Sequence, residues 1–482
     1  MTKIMKWNPH ASWRRPGNAT GRFLKDVALV AIFSSFTSVG AGQEAEVDTY
    51  VKAQMAAQHI PGVSVAVVRE AKQALCKGYG YANVELSAPA TDKTVYELQS
   101  VGKQFTATAV MLLVEEGKLS LDDAVGKYLT ELPASWRAVT IRRLLNHTSD
   151  IPDYIHAPGW KETIRLDRTP LELLKPVFPL EVAPGTKWKY SNSDYLVLGL
   201  IIEKISGDSY ADFLAKRILQ PLGMTSTRIN SMTDVIANRA DGYWWKDGLL
   251  KDEYVSPSQK WAAGGVVSSA ADLAKWAESL EQATLLKATS LQTMLVPGRL
   301  ANGTEVPYGF ANELDEDHGH KMAGHQGGGL GFNATLLHYP ADHLEVVVLC
   351  NLRTARSLPM ARHIAAIYLP ELSDANKQGM EDKAPKTTAL LKQIITEVGK
   401  GNLDDSLFSA EAREKLVPSI RRAGPHFVGP LGEMRSFTLI ERTEDGDGQT
   451  LRYRSKFDSM SLIWTFKLNR ANKITAMEPR PE

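Results

Sequence analysis

Ser100-Val101-Gly102-Lys103, running on into Gln104-Phe105-Thr106-Ala107-Thr108-Ala109-Val110-Met111-Leu112-Leu113, is the stretch from which the rest of this 482-residue chain can be read. Phe105, Ala109, Leu112 and Leu113 recur at helical spacing and Gly117 stops the run, so the quartet predicts the N-terminal end of a helix. Residues three apart share a helical face, which brings Lys103 within reach of the Ser100 hydroxyl. The unpaired first amides and the helix dipole favour negative charge at the same place. A serine hydroxyl is a poor nucleophile until a base takes its proton, and a lysine can be that base once burial or a neighbouring cation lowers its pKa. A capping serine beside an exposed lysine is the commoner use of such a quartet. Ser100 is nevertheless the only serine in the chain with lysine three positions on.

Downstream, Tyr190-Ser191-Asn192 follows the turn Pro184-Gly185-Thr186 and precedes Tyr195–Ile205, whose Leu196, Leu200 and Ile201 have helical spacing. Tyr190 can relay a proton if positive charge lowers its pKa, and the Asn192 amide can bind a substrate carbonyl or orient Lys103. Tyr81-Ala82-Asn83 has the same spelling but sits on a strand-like segment, and is read as structural. Further on, His325-Gln326-Gly327-Gly328 lies within the glycine-rich run 324–332. Consecutive glycines on an edge strand let a substrate backbone come close and expose amides as donors. The Gly328 amide together with that of Ser100 would make an oxyanion hole, and His325 would hold a polar or charged group beside the tyrosine. Glu316, Asp317, His318, His320 and His325 invite a metal reading, but they lack helical i, i+4 spacing. The glycine-lysine pattern of a phosphate loop is absent.

Composition narrows the classes. Apolar residues make up 43% and charged residues 23%, enough for a packed core. Lys+Arg 56 against Asp+Glu 55 gives net +1, which leaves no global field for nucleic acid. Two cysteines, Cys76 and Cys350, are too few for a disulfide framework or a thiolate zinc finger, and each is read as a buried inert thiol. If the protein is exported, one Cys76–Cys350 bond becomes possible.

Ser-x-x-Lys, Tyr-x-Asn and His-x-Gly in this order resemble the penicillin-recognising serine hydrolases: class C β-lactamases, D-alanyl-D-alanine carboxypeptidases, D-aminopeptidases and related esterases. Leu144-Leu145-Asn146-His147-Thr148-Ser149, Pro221-Leu222-Gly223-Met224 and the run 264–273 look like structural stretches of that family, and the resemblance covers about residues 44–370. It implies an α/β (α+β) fold: an antiparallel sheet flanked by helices, with an all-helical subdomain inserted between Ser100 and the His325 strand. It implies Ser100 as the acylated nucleophile, Lys103 as its activator and Tyr190 as proton shuttle. Asn192, His325, Gly327 and Gly328 fall at substrate-binding positions, with no metal and no cofactor. His325 departs from the lysine usual there, which favours esterase or D-peptidase chemistry over β-lactam hydrolysis, because histidine is mostly neutral at pH 7. Asp150 departs too, since glycine usually follows His-Thr-Ser, and His147 is read as structural. The expected reaction is acyl transfer from a small-molecule or peptide substrate to water. A non-catalytic sensor or interaction protein on the same scaffold is the alternative.

Six basic residues in 1–26, the apolar run Val27–Phe36 and the small residues Ser38 to Gly42 follow the order of a secretory leader, expected over 1–42. The apolar run falls short of the roughly 20 residues that span a bilayer, so export to the periplasm or medium, without a remaining membrane span, is expected. Residues 43–370 would then form the hydrolase domain, 371–387 a polar linker, and 388–482 a helix packed on an antiparallel meander, with strands at Phe437/Leu439, Leu451/Tyr453/Phe457 and Leu462/Trp464/Phe466/Leu468.

Overall fold

Two β-branched runs far apart in the chain, Val63–Val68 and Leu344–Cys350, lie side by side, with Val65 opposite Val348. Both are buried on both faces, which is why they read as continuous apolar runs rather than as alternation. The computed structural model describes residues 27–178, 183–373, 377–446, 448–458 and 460–481. The strands β1 (Gly62–Arg69), β2 (Lys72–Asn83), β3 (Ala88–Pro89), β4 (Glu313–Asp317), β5 (His320–Gly329), β6 (Phe332–Tyr339) and β7 (Leu344–Cys350) form an antiparallel sheet in the order β4-β5-β6-β7-β1-β2-β3.

Helices cover both faces. On one side Ala66 and Val68 join a core with α2 (Lys103–Glu115), α3 (Asn192–Ser206) and α4 (Ala270–Glu281). On the other, Val63, Val65 and Val67 pack against α5 (Ser357–Tyr368) and against Val47 and Val51 of the helix Val27–Gln58. The insert between α2 and β4 is mainly rather than wholly helical. Val266–Ser268 pairs with Tyr96–Glu97 and Arg228–Ile229, and Tyr243–Trp245 pairs with Leu249–Lys251. The basic part of the expected leader, residues 1–26, lies outside the described residues. Among those described, no helix is long and apolar enough to cross a membrane.

The C-terminal module carries α6 (Pro385–Lys400), α7 (Val417–Val428) and the meander β8 (Met434–Asp445), β9 (Gly448–Phe457), β10 (Ser461–Asn469) and β11 (Ile474–Pro481). Tyr453, Trp464 and Phe466 meet Ile394, Ile395 and Val398 in a core of their own. Three elements exceed the expectation, the short helix Ala410–Lys415, helix α7 and strand β11. Helix α7 contains Pro418, Gly424 and Pro425, which argue against a helix locally, yet it buries Val417, Gly424 and Val428, spaced i, i+7, i+11. Strand β11 has Pro479 and Pro481, which an edge strand tolerates. Its Arg480 reaches the β4–β5 hairpin, with Nη1 3.0 Å from Asp317 Oδ1 and Nη2 2.7 Å from His318 Nε2.

Both cysteines are free. Cys76 on β2 faces Ala66 and Cys350 on β7 faces Val63, so β1 lies between them. Ala66 and Val63 point to opposite faces of β1, so the two sulfurs do as well. Burial pushes both thiols up to about 12. Titration in denaturant without reductant should therefore find both thiols. A count that rises only after reduction would overturn this placement.

Candidate active site

Ser100 sits in a tight turn, Gln99–Gly102, that leads straight into α2, whose first residue is Lys103, three residues after the helix start expected at Ser100. The turn opens on strained backbone, since Gln99 takes the left-handed region with φ 52. Its side chain is held by a 2.9 Å bond to Glu97 Oε2, and Glu97 is in turn paired with Lys260. Gly329 gives it room, since a Cβ there would come within 2.6 Å of the Gln99 carboxamide. Strand β5 closes on the turn from above. A Cβ at Gly327 would stand 2.1 Å from the Leu98 carbonyl oxygen, so only glycine allows this approach.

Lys103 is fully buried one turn below the hydroxyl. Its Nζ lies 3.1 Å from Ser100 Oγ, 2.7 Å from Asn192 Oδ1 and 2.7 Å from the Ala263 carbonyl. The last two partners can only accept. An unprotonated amine has two hydrogens, both taken by these oxygens, and its lone pair is left for the serine O–H. Burial drives the Lys103 pKa down to about 7, against the opposing pull of Asp153 and Asp194. The nitrogen also stands over two ring faces, 4.8 Å from the centroid of Tyr190 and 5.4 Å from that of Tyr195. Tyr190 donates to Ser100 Oγ at 2.8 Å. The lowering of its pKa on which a relay role was conditioned is not met: burial raises it, so the phenol keeps its proton at rest.

Asn192 is the first residue of α3, which begins three residues earlier than its apolar spacing suggested. Its carbonyl serves Lys103, and its Nδ2 donates to Asp153 Oδ2 at 2.9 Å, so one amide hydrogen remains for a ligand. Asp153 escaped the sequence reading because Ile151-Pro152-Asp153 carries no pattern. Asp194 escaped it as well. This fully buried acid lies 2.8 Å from His147 Nδ1 and accepts from Ser149 at 2.5 Å. Burial raises its pKa and lowers that of His147, and the pair lies beneath Tyr190, whose ring centre is 4.3 Å from that of the histidine. Asp150, where glycine was expected, adopts the left-handed φ of 63 that glycine would supply, and aspartate tolerates it.

His325 is 2% exposed and spends both ring nitrogens internally, Nδ1 on the Gln326 carbonyl at 2.6 Å and Nε2 on the Tyr308 hydroxyl at 2.8 Å. Its side chain thus supports the strand and is not placed to grip substrate. Burial, reinforced by the Lys103 charge, depresses its pKa to about 3, so it is neutral at physiological pH. The other members of the acidic and histidine run have separate partners: His318 bonds Asp317 and Arg480, and His320 bonds Asp342. Gly328 is exposed. The turn Leu330-Gly331 closes on the Gly329–Phe332 pair, so ladder alternation turns the backbone groups of Gly328 toward the edge that the shorter β4 leaves open.

A family model described as Beta-lactamase matches residues 47–369. The chain is 32% identical over 292 residues to Penicillin-binding protein 4* of Bacillus subtilis (strain 168), covering 56% of this chain and 63% of that protein, less than two thirds of its length. Among solved structures, the octameric penicillin-binding protein homologue from Pyrococcus abyssi matches with a TM-score of 0.62 at 24% identity, over 91% of this chain and 98% of that one. That is a likeness of fold, and it extends over the C-terminal module. A D-stereospecific amidohydrolase from Streptomyces sp. matches with a TM-score of 0.55 at 25% identity, over 65% of this chain and 96% of its own.

The two strand glycines should separate on substitution. Gly327→Ala should destabilise by about 1–3 kcal/mol as the turn is pushed off β5, whereas Gly328→Ala, whose nearest atom is 3.6 Å away, should stay within about 0.5 kcal/mol. Denaturant melts of both variants check this, and equal stabilities would contradict the packing described.

Proposed function

The chain belongs to the Beta-lactamase family, and from that premise we propose that it is a serine hydrolase that forms a covalent ester on Ser100 and acts on small esters or amides, D-amino-acid amides and peptides among them. The observation that carries the reading is the buried Lys103 amine, its Nζ 3.1 Å from Ser100 Oγ and donating to the Asn192 and Ala263 carbonyl oxygens. In the first step Lys103 takes the Ser100 proton as Oγ attacks the carbonyl carbon. The amides of Ser100 and Gly328 receive the developing oxyanion, each donor worth about 3–4 kcal/mol in comparable sites. Tyr190 passes a proton to the leaving group and is recharged from Lys103. Water then attacks the ester by the same route reversed. The remaining Asn192 amide hydrogen holds the substrate carbonyl, and the half-exposed Trp188, 6.0 Å from Tyr308, walls the approach.

The preference for neutral esters and amides over β-lactams rests on His325. A carboxylate-bearing substrate gains most from a fixed cation beside the oxyanion strand, and a histidine with a pKa near 3 and no free nitrogen offers none. Export is the setting we propose, on the basic-then-apolar order of residues 1–42. A purely binding role is disfavoured by the complete hydrogen-bond set around Ser100.

Ester turnover should show one ionisation near pH 7. Because the unprotonated amine is the active form, kcat/KM falls about ten-fold per unit below 7 and levels above it. A limb near pH 10, where an ordinary lysine titrates, would reject Lys103 as the base. A fluorophosphonate or fluorescent penicillin should label the protein covalently and fail on Ser100→Ala; labelling that survives would reject the nucleophile. In one panel of p-nitrophenyl esters, D-alanyl peptides and nitrocefin, nitrocefin should be turned over least.

A further inference from the structure

A cavity of about 670 Å³ lies between the C-terminal module and the back of the catalytic sheet, well within the range of small-molecule sites. Its floor follows from the sequence of α7. Val417, Gly424 and Val428 are buried in the module core, the last two also reaching the cavity wall, while Leu416, Ile420, Ala423 and Phe427, spaced i, i+4, i+7, i+11, line the cavity as a second apolar stripe whose larger side chains also pack on that core. Helix α5, with Arg356 at its N-cap, supplies the opposite wall and the charge. Arg362 and, from β11, Arg480 also border the space, but they are paired, with Asp315 and Asp317 respectively. Arg356 differs. Its guanidinium lies 5.2 Å from the centre of the Phe427 ring, and among the described residues no carboxylate pairs with it. Among the described residues the only acidic side chain bordering the cavity is Asp317, already held by Arg480 and His318.

We infer that this cavity binds an amphipathic monocarboxylate, its head group on Arg356 and its hydrocarbon along Ile420, Ala423 and Phe427. Charge complementarity sets the head, since Arg356, unpaired with any carboxylate among the described residues, stands at the border of an apolar trough and a guanidinium takes a carboxylate through two parallel hydrogen bonds. The length of the stripe sets the tail, about three helical turns of apolar surface. The site is separate from Ser100, and the inference does not depend on the acyl-serine reading. It borders the catalytic strand all the same: Gln326 and Asn333 line it, and Asn333 pairs with Gly328 across β5 and β6.

The test is calorimetric titration of dodecanoate into the full chain, with dodecanol and butanoate for comparison, and into Arg356→Ala, Ala423→Trp and Ser100→Ala variants of unchanged melting temperature. Residues 356 and 423 are both exposed, so neither change disturbs a core. Dodecanoate should bind, with Kd raised at least about ten-fold by Arg356→Ala and by filling the trough in Ala423→Trp. Dodecanol and butanoate, each lacking one half of the ligand, should bind at least as much more weakly, and Ser100→Ala should leave the affinity alone. Absence of binding, equal affinity in Arg356→Ala, or loss of binding in Ser100→Ala, which would place the ligand at the serine, overturns the proposal. Should Ala423→Trp melt early, Arg356→Ala and the dodecanol comparison decide alone.

Discussion

Everything at the site depends on keeping an amine out of water while giving it three oxygen neighbours. An isolated buried ammonium is costly, and this one is tolerated because burial lowers its proton affinity and two aromatic faces and two carbonyl oxygens receive what charge remains. Three parts of the chain converge to build that environment: α2 supplies the amine, the first residue of α3 an amide oxygen, and Ala263 a backbone carbonyl. The sheet order matters because it sets β5 beside the turn that carries Ser100, close enough that Gly327 cannot hold a side chain.

The parts of this arrangement that are local were legible in the sequence. Ser100 and Lys103 lie one helical turn apart, so their spacing alone brings them together, and the glycines after His325 announce a close backbone approach. What was not legible is what long-range packing assembles. Asp153 and Asp194 act through Asn192 and His147, and no spacing rule joins residues brought together by the tertiary fold. That burial outweighs the nearby cation in setting the Tyr190 pKa was not legible either, since burial belongs to the assembled fold. In the fold, the β-branched runs named β1 and β7 by composition. Helix α7 was hidden by its prolines and glycine, whose local cost is met by burial that only the folded module provides.

Replacing the usual lysine by histidine changes more than one charge. In place of a flexible cation facing the cleft there is a buried ring locked between a backbone carbonyl and the Tyr308 hydroxyl. The ring stiffens β5 from the inside and leaves the oxyanion strand uncharged on that side.

The Arg480 contact with the β4–β5 hairpin spans 163 positions of sequence. Strand β11, which carries that arginine, is the last of the described strands to be synthesised, so during biosynthesis the hairpin waits without its clamp until the module behind it is made. Ser100 is thus synthesised long before the arginine that ties the hairpin of the catalytic-sheet edge to the C-terminal module.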